Sequence, residues 1–267
     1  MNCLDIKNAK QAAISAADSA EQVIKSHQLN EDWSVSYKAD DSPVTEVDVA
    51  AEKAIHAVLS TAMPQAGFYG EETGRHAAPE GDSSAIWLID PIDGTKSFIR
   101  NMRYYSTQIA LEVDGELRLG VSNAPAYGER LIAVANGQEG AGVWLNDQAV
   151  KTRPITDPAE AFLSTGNLTR LAKNPKRWAA LAEIIPTVRR VRGYGDFCHY
   201  HQLCAGQTDL IIESDVNILD IAALTVGIRA AGGIITDLEG EAIDQNTTSV
   251  LAAATAELHE RVLAWLN

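Results

Sequence analysis

Apolar positions recur at helical intervals over residues 4–27, where Ile6, Ala9, Ala13, Ala16 and Ile24 share one side of an otherwise polar, alanine-rich stretch. This spacing predicts an amphipathic helix. A second stripe, Val49, Ile55, Val58 and Leu59, predicts a helix over 48–62 that Pro64 closes. The run between them, 38–48, is polar and reads as a loop feeding the second helix. After it the pattern changes to short apolar runs at 67–70, 85–89, 106–113 and 117–122, set apart by turn residues. Asp114-Gly115 between the last two is a hairpin signal, so a mixed, largely antiparallel sheet is expected. Beyond Asp157 the pattern is looser. Strands are expected at 161–164, 188–192, 209–213 and 234–236, and a run at 251–254 leads into a terminal helix over 256–266. Further helices are expected at 197–204 and at 218–231, the latter stopped by Gly232 and Gly233.

Helices and strands in alternating blocks predict a layered α/β sandwich. Its two parts are expected to be an N-terminal α+β sub-domain, 1–150, and a C-terminal α/β sub-domain, 151–267, that together form one catalytic unit. The chain has 267 residues, 46% hydrophobic and 22% charged, which is ample for a core and excludes a disordered chain. Its 22 basic and 36 acidic residues leave a net charge of −14, which argues against non-specific nucleic-acid binding. No apolar run approaches the roughly 18 residues of a membrane span, and the first residues lack a signal-peptide pattern. A cytoplasmic protein is expected. Cys3, Cys198 and Cys204 lack C-x-x-C spacing and read as reduced structural thiols.

Candidate chemistry centres on Trp87-Leu-Ile-Asp90-Pro91-Ile92-Asp93-Gly94-Thr95. An apolar strand ending in Asp90, a turn at Pro91 and a returning Asp93 bring two carboxylates together, a donor set suited to Mg²⁺ and phosphate oxygens. Gly94 would let an anion approach the backbone, and Thr95 stands where a helix begins, with N–H groups free for phosphate. The alternative is an Asp-Pro turn with Thr95 as a helix cap. Glu71 and Glu72 again place acids at a strand end, or form a solvated turn. Asp220 opens an apolar helix, where an acid also complements the dipole.

Taken together, 43–48 (Pro-Val-Thr-Glu-Val-Asp), Gly70-Glu71-Glu72, the 90–95 motif, Asp220-Ile-Ala-Ala223 and Ala230-Ala-Gly-Gly233 resemble, in order and spacing, the inositol monophosphatase family. That is a family of magnesium-dependent, lithium-sensitive phosphatases. The resemblance spans nearly the whole chain and implies the α/β/α/β/α fold shared with fructose-1,6-bisphosphatases, as a homodimer. It implies a first Mg²⁺ on Glu71, Asp90 and the carbonyl of Ile92, and a second on Asp90, Asp93 and Asp220. A third, weaker ion would be held through water with help from Glu71. Asp48 and Thr95 resemble the pair that orients and deprotonates the attacking water, and the backbone of Gly94 and Thr95 the phosphate cradle. The substrate would be a small phosphorylated metabolite.

Within the family, 38–45, 95–98, 128–130, Gly195-Asp196-Phe197-Cys198 and 209–213 resemble the histidinol-phosphatase branch. Two departures touch the substrate wall. Phe197 precedes Cys198 where that branch has Gly-Asp-Cys-Tyr, and Asn217-Ile218-Leu219 replaces its Lys-Pro-Tyr or Lys-Pro-Trp. Glu213 matches the family's leaving-group glutamate, able to take sugar hydroxyls or an ammonium group. Asp196 either adds negative charge to the pocket or caps the following helix. Other readings are an inositol or sugar monophosphatase, a 3′(2′),5′-bisphosphate nucleotidase using Arg100, Arg103, Tyr104 and Tyr105, and a regulatory binding protein of the same fold. His199 and His201 face apart on a helix and are not counted as ligands.

Overall fold

The computed structural model describes residues 5–30, 34–37, 43–78 and 84–267. Helix α1 (Ile6–Asn30) buries Ala9, Ala13, Ala16, Ala17 and Ala20 together with Ile24. Side chains this small let its backbone sit close to its neighbours. Two short strands, β1 (Val35–Tyr37) and β2 (Pro43–Thr45), pair antiparallel, and residues 38–42 of the expected loop lie outside the described residues. Helix α2 (Glu46–Ala62) starts two residues earlier than its apolar stripe predicts, because Thr45 caps it. Its buried apolar row is Val47, Ala51, Ile55 and Leu59, every fourth residue, while Val49 and Val58 are only half-buried. Asp48 and Glu52 form a parallel row beside it, also buried.

Strands β3 (Gly67–Gly70), β4 (Gly74–His76) and β5 (Ala85–Asp93) follow, then the single turn α3 (Thr95–Phe98). After it come β6 (Ser106–Val113), β7 (Glu116–Ala124), β8 (Glu129–Val134), β9 (Gly142–Leu145) and β10 (Gln148–Ala149). They form one eight-stranded sheet in the order β10-β9-β8-β7-β6-β5-β3-β4. Only β3 and β5 pair in parallel, so the expected mixed, largely antiparallel sheet is present. Strands β4, β8, β9 and β10 were not expected; β4 (Gly-Arg-His) and β10 (Gln-Ala) carry almost no apolar signal, whereas β8 (Glu-Arg-Leu-Ile-Ala-Val) and β9 (Gly-Val-Trp-Leu) do carry one.

The second sheet is built from β11 (Phe162–Gly166), β12 (Arg190–Arg192), β13 (Leu210–Ser214), β14 (Ile234–Thr236) and β15 (Ser249–Ala253). Its order is β12-β11-β13-β15-β14, with β11 parallel to both neighbours and the remaining pairs antiparallel. Helices α4 (Thr169–Ala172) and α5 (Pro175–Ile184), neither expected, fall between β11 and β12. Helix α6 (Asp196–Cys204) precedes β13, α7 (Ile218–Ala230) follows it, and α8 (Ala256–Leu266) ends the chain.

The cores define the layers. Helices α1 and α2 cover one face of the first sheet, meeting Trp87, Ile89, Ile109, Leu111 and Val121. Helices α6 and α7 lie between the two sheets, where Leu131 and Ala133 from β8 share a cluster with Tyr200, Leu224, Ile228, Val250 and Ala252. On the far face of the second sheet, α5 and α8 pack through Leu181, Ile184, Leu258 and Val262. The result is α/β/α/β/α. Ten of the 13 residues of α7 are buried, as a helix apolar all round must be, and each buried Leu or Ile contributes about 1.5–3 kcal/mol. Helix α7 approaches β7 so closely that a Cβ on Gly120 would lie 2.4 Å from the carbonyl of Ala223. No described helix is long and apolar enough to cross a membrane. Cys198 and Cys204 are free and buried on α6, and burial pushes the Cys204 thiol well up. Cys3 lies outside the described residues.

Candidate active site

Strand β5 runs past the expected turn at Pro91 as far as Asp93. Proline has no N–H for the ladder, and the pairing with β6 shifts register between Asp90 and Asp93, the usual accommodation of proline in a sheet. In a regular strand, residues three apart point to opposite faces. The irregularity turns both carboxylates to one place, where oxygens of Asp90, Asp93 and Asp220 all lie within 4.8 Å of one another. The feature is thus a strand irregularity rather than a tight turn. Three hydrogen bonds fix it: Ile92 N–H to Asp90 Oδ1 at 3.0 Å, Thr107 Oγ1 to the Pro91 carbonyl at 2.9 Å, and Ser106 Oγ to Asp93 Oδ2 at 3.1 Å.

Gly94 has φ +91°, and a Cβ there would lie 2.7 Å from the carbonyl of Tyr104. Backbone conformation and packing alone demand glycine. Helix α3 is only four residues long, so the expected dipole reduces to the N–H groups of one turn. The Thr95 hydroxyl lies 3.2 Å from Asp48 Oδ1 and 3.0 Å from the Ile92 carbonyl. Its single proton serves one acceptor at a time.

Asp48 and Asp220 reach the site by the same device, each at the third position of its helix in a reciprocal cap. Asp48 Oδ2 accepts from Thr45 N–H at 2.8 Å and Thr45 Oγ1 at 2.6 Å, and Thr45 Oγ1 accepts from Asp48 N–H. Asp220 Oδ2 accepts from Asn217 N–H at 2.9 Å and Oδ1 from Asn217 Nδ2 at 2.7 Å. Asn217, a departure from the histidinol-phosphatase pattern, is therefore the cap that holds Asp220. Capping and membership of the cluster are compatible, because each acid keeps its carboxylate at the helix mouth.

Glu71 lies in the turn between β3 and β4. Its N–H donates to the Ile89 carbonyl at 3.1 Å, one residue before Asp90. The acids raise one another's pKa. Burial, then Glu71, Asp93 and Asp220, hold Asp90 well above the usual carboxylate range. Burial, then Asp196 and Asp220, do the same to Asp93. Asp220 is pushed up to about 7 by burial, with Glu71 and Glu213 adding to it against the Asn217 hydrogen bonds. Burial also raises Asp48, opposed by Thr45. Among the described residues no lysine or arginine pairs with Asp90, Asp93 or Asp220.

A second acidic wall faces this centre. Glu213 on β13 is buried; its Oε2 accepts from Tyr200 OH at 2.7 Å and lies 3.0 Å from His199 Nε2. His199 Nδ1 lies 3.1 Å from Ser164 Oγ, so the ring bridges Glu213 and Ser164. Glu213 Oε1 is buried with no hydrogen-bond partner. It lines a cavity of about 20 Å³ together with Asp93, Asp196, Asp220, Asn167 and Tyr200, room for one water or a small ion. Asp196 is not the helix cap; Gly195 occupies that position without a side-chain bond. Asp196 takes φ +46°, a backbone region that costs a non-glycine residue energy. Burial and Glu213 push it up to about 6.

His199 and His201 do face apart, His201 lying 3.0 Å from Glu129 and 2.9 Å from Ser122 Oγ. Tyr105 is buried with its OH on Gln28 at 3.2 Å, and Tyr104 packs on Tyr127 and Phe197. Tyr105 is thus withdrawn from the base-binding role that a nucleotidase would require. Glu52 and Tyr200 went unnoticed in the sequence, and so did the contact of His199 with Glu213, although Asp48-x-x-x-Glu52 places two acids on one helix face.

A model of the inositol monophosphatase family matches residues 5–267. A histidinol-phosphatase from Mycobacterium tuberculosis is 33% identical over 256 residues, 96% of each chain. Nus factor SuhB from Pasteurella multocida is 33% identical over 94% of this chain and 92% of its own length. The solved structure of an inositol monophosphatase from Zymomonas mobilis superposes with a TM-score of 0.80 at 29% identity, covering 99% of both chains. With this fold and this acidic cluster, the chain belongs to the inositol monophosphatase family and is a phosphatase.

Proposed function

We propose that this phosphatase hydrolyses histidinol phosphate with Mg²⁺ at the Asp90–Asp93–Asp220 centre. The observation that carries the reading is convergence: three carboxylates meet within 4.8 Å and Glu71 adds its charge to them. Such a cluster is unfavourable without cations. Its donors are all oxygen, which suits Mg²⁺. Glu71, Asp90 and the Ile92 carbonyl would hold one ion, and Asp90, Asp93 and Asp220 the other. Bound there, the ions would supply positive charge to the phosphate oxygens and acidify a coordinated water.

The protein's own groups do the rest. Asp48, raised by burial, accepts a proton through the Thr95 hydroxyl, which donates to Asp48 while accepting from the attacking water. N–H groups of Gly94 and Thr95 bind the phosphoryl oxygens. On the leaving-group side, Asp196 and the unpartnered Oε1 of Glu213 form an anionic wall, and no lysine or arginine lines the cavity. That wall favours an alcohol carrying an ammonium group over a neutral polyol. The relatives named histidinol-phosphatase support the same choice.

Phosphate release from histidinol phosphate, inositol 1-phosphate and adenosine 3′,5′-bisphosphate, with Mg²⁺ and with chelator, tests the proposal. Histidinol phosphate is expected to lead in kcat/KM, and chelator to abolish every reaction. A lead by inositol 1-phosphate or the bisphosphate overturns the substrate assignment; hydrolysis that survives chelation overturns the metal assignment.

A further inference from the structure

Glu52 is a buried acid that the chemistry above does not use. It lies one helical turn after Asp48 on α2 and is 2% exposed, yet its partners come from the turn that carries Glu71. Oε2 accepts from Glu72 N–H at 2.8 Å; Oε1 accepts from Thr73 N–H at 3.0 Å and from the Thr73 hydroxyl. Gly70, the residue before Glu71, makes room: a Cβ there would lie 2.3 Å from Glu52 Oε1. The turn is therefore held from both sides, Glu71 by its N–H on the Ile89 carbonyl of β5, and Glu72 and Thr73 by Glu52.

We infer that Glu52 is a positioning residue that clamps the Glu71–Thr73 turn and so presents the Glu71 carboxylate to the acidic centre. The turn joins β3 to the three-residue edge strand β4, so the sheet restrains it on one side only, and a turn of this kind opens easily when nothing else holds it. A further anion beside an already anionic centre is unfavourable in itself and persists here because three donors converge on it. Those donors make charge-assisted bonds, stronger than an amide acceptor would give. A carboxylate that holds a ligand-bearing turn in place then acts on the metal through geometry, as residues supporting ligands do.

This inference rests on reading the centre as a divalent-cation site. Its test is calorimetric titration of Mg²⁺ into metal-stripped wild type, Glu52→Gln and Thr73→Val, with the melting temperature of each in chelator. Glu52→Gln loses the charge and brings an NH₂ group against N–H donors. It is expected to weaken Mg²⁺ binding by about ten- to a hundredfold, while KM for the phosphate ester at saturating Mg²⁺ stays near the wild-type value. Thr73→Val removes one of the three donors and is expected to weaken binding in the same direction by less. An isotherm for folded Glu52→Gln that matches wild type overturns the inference, even if its melting point in chelator has dropped, because Glu52 would then serve stability alone. Should Glu52→Gln fail to fold, a wild-type isotherm for Thr73→Val overturns it equally. Absence of Mg²⁺ uptake by wild type would instead bring down the metal-site reading on which the inference stands.

Discussion

Around Asp90, oxygens of three carboxylates crowd within 4.8 Å and push one another's pKa upward. Around Glu213, 1% exposed, one carboxylate oxygen meets Tyr200 OH and His199 Nε2 while the other is left unmatched, with Asp196 lining the same cavity. The first arrangement repels itself unless cations neutralise it. The second is held by hydrogen bonds and leaves one acceptor unmatched. On the proposed reading, neutralising a phosphate falls to the charge-loaded sheet edge and recognising an alcohol to the hydrogen-bonded wall.

The sharpest way to break this contrast is Asp93→Asn. Asp93 lies in the crowded centre rather than in a hydrophobic core, so the variant should fold, while losing several kcal/mol of transition-state stabilisation, about 10²- to 10³-fold in kcat. Circular dichroism and steady-state kinetics check it; collapse of the fold would put Asp93 among the structural residues.

A smaller effect is expected in stability against pH. Asp220, pushed up to about 7, and Asp196, pushed up to about 6, both chiefly by burial, lie above the ordinary carboxylate value of 3.8. Between that value and the raised ones, the folded state keeps protons that the unfolded chain has released. Stability in chelator therefore falls as pH rises through this interval. Mg²⁺ should flatten the dependence, since it favours the deprotonated acids and stabilises the folded state. Melting curves at pH 5 and pH 8, with and without Mg²⁺, would expose the opposite slope if the centre were not self-repelling.

The smallest effect belongs to the wall. Glu213→Gln keeps most of the packing and exchanges a charge for an amide, so KM for histidinol phosphate should rise more than KM for a small generic phosphate ester. Equal changes for both substrates would remove Glu213 from recognition.

Much of the acidic cluster was legible in the chain because its acids come with local signatures. Asp90 follows an apolar run and Asp220 opens a helix that is apolar on every side, whereas the cap at Thr45, which starts α2 at Glu46, was read as loop. The supporting residues carried no such signature. Glu52 sits in an ordinary helical position, and its partners are 20 and 21 residues away. His199 and Tyr200 read as members of an unremarkable helix until β13 brings Glu213 against them. Strands as short as β4 and β10 were missed because two or three residues cannot establish a period, and their pairing partners define them.

By itself the sequence determined the longer helices α1, α2, α6, α7 and α8 and the strands β3, β5, β6, β7, β11, β12, β13 and β14, since local spacing of apolar side chains decides those. It also determined that carboxylates end up at strand and helix ends. Only the tertiary structure decided that Asp90 and Asp93 share a face, that Asp196 faces a cavity instead of capping α6, and that Glu52 grips the turn bearing Glu71. Those outcomes depend on distances between segments far apart in the chain, and on a strand irregularity whose effect is felt only once β5 is paired to β6.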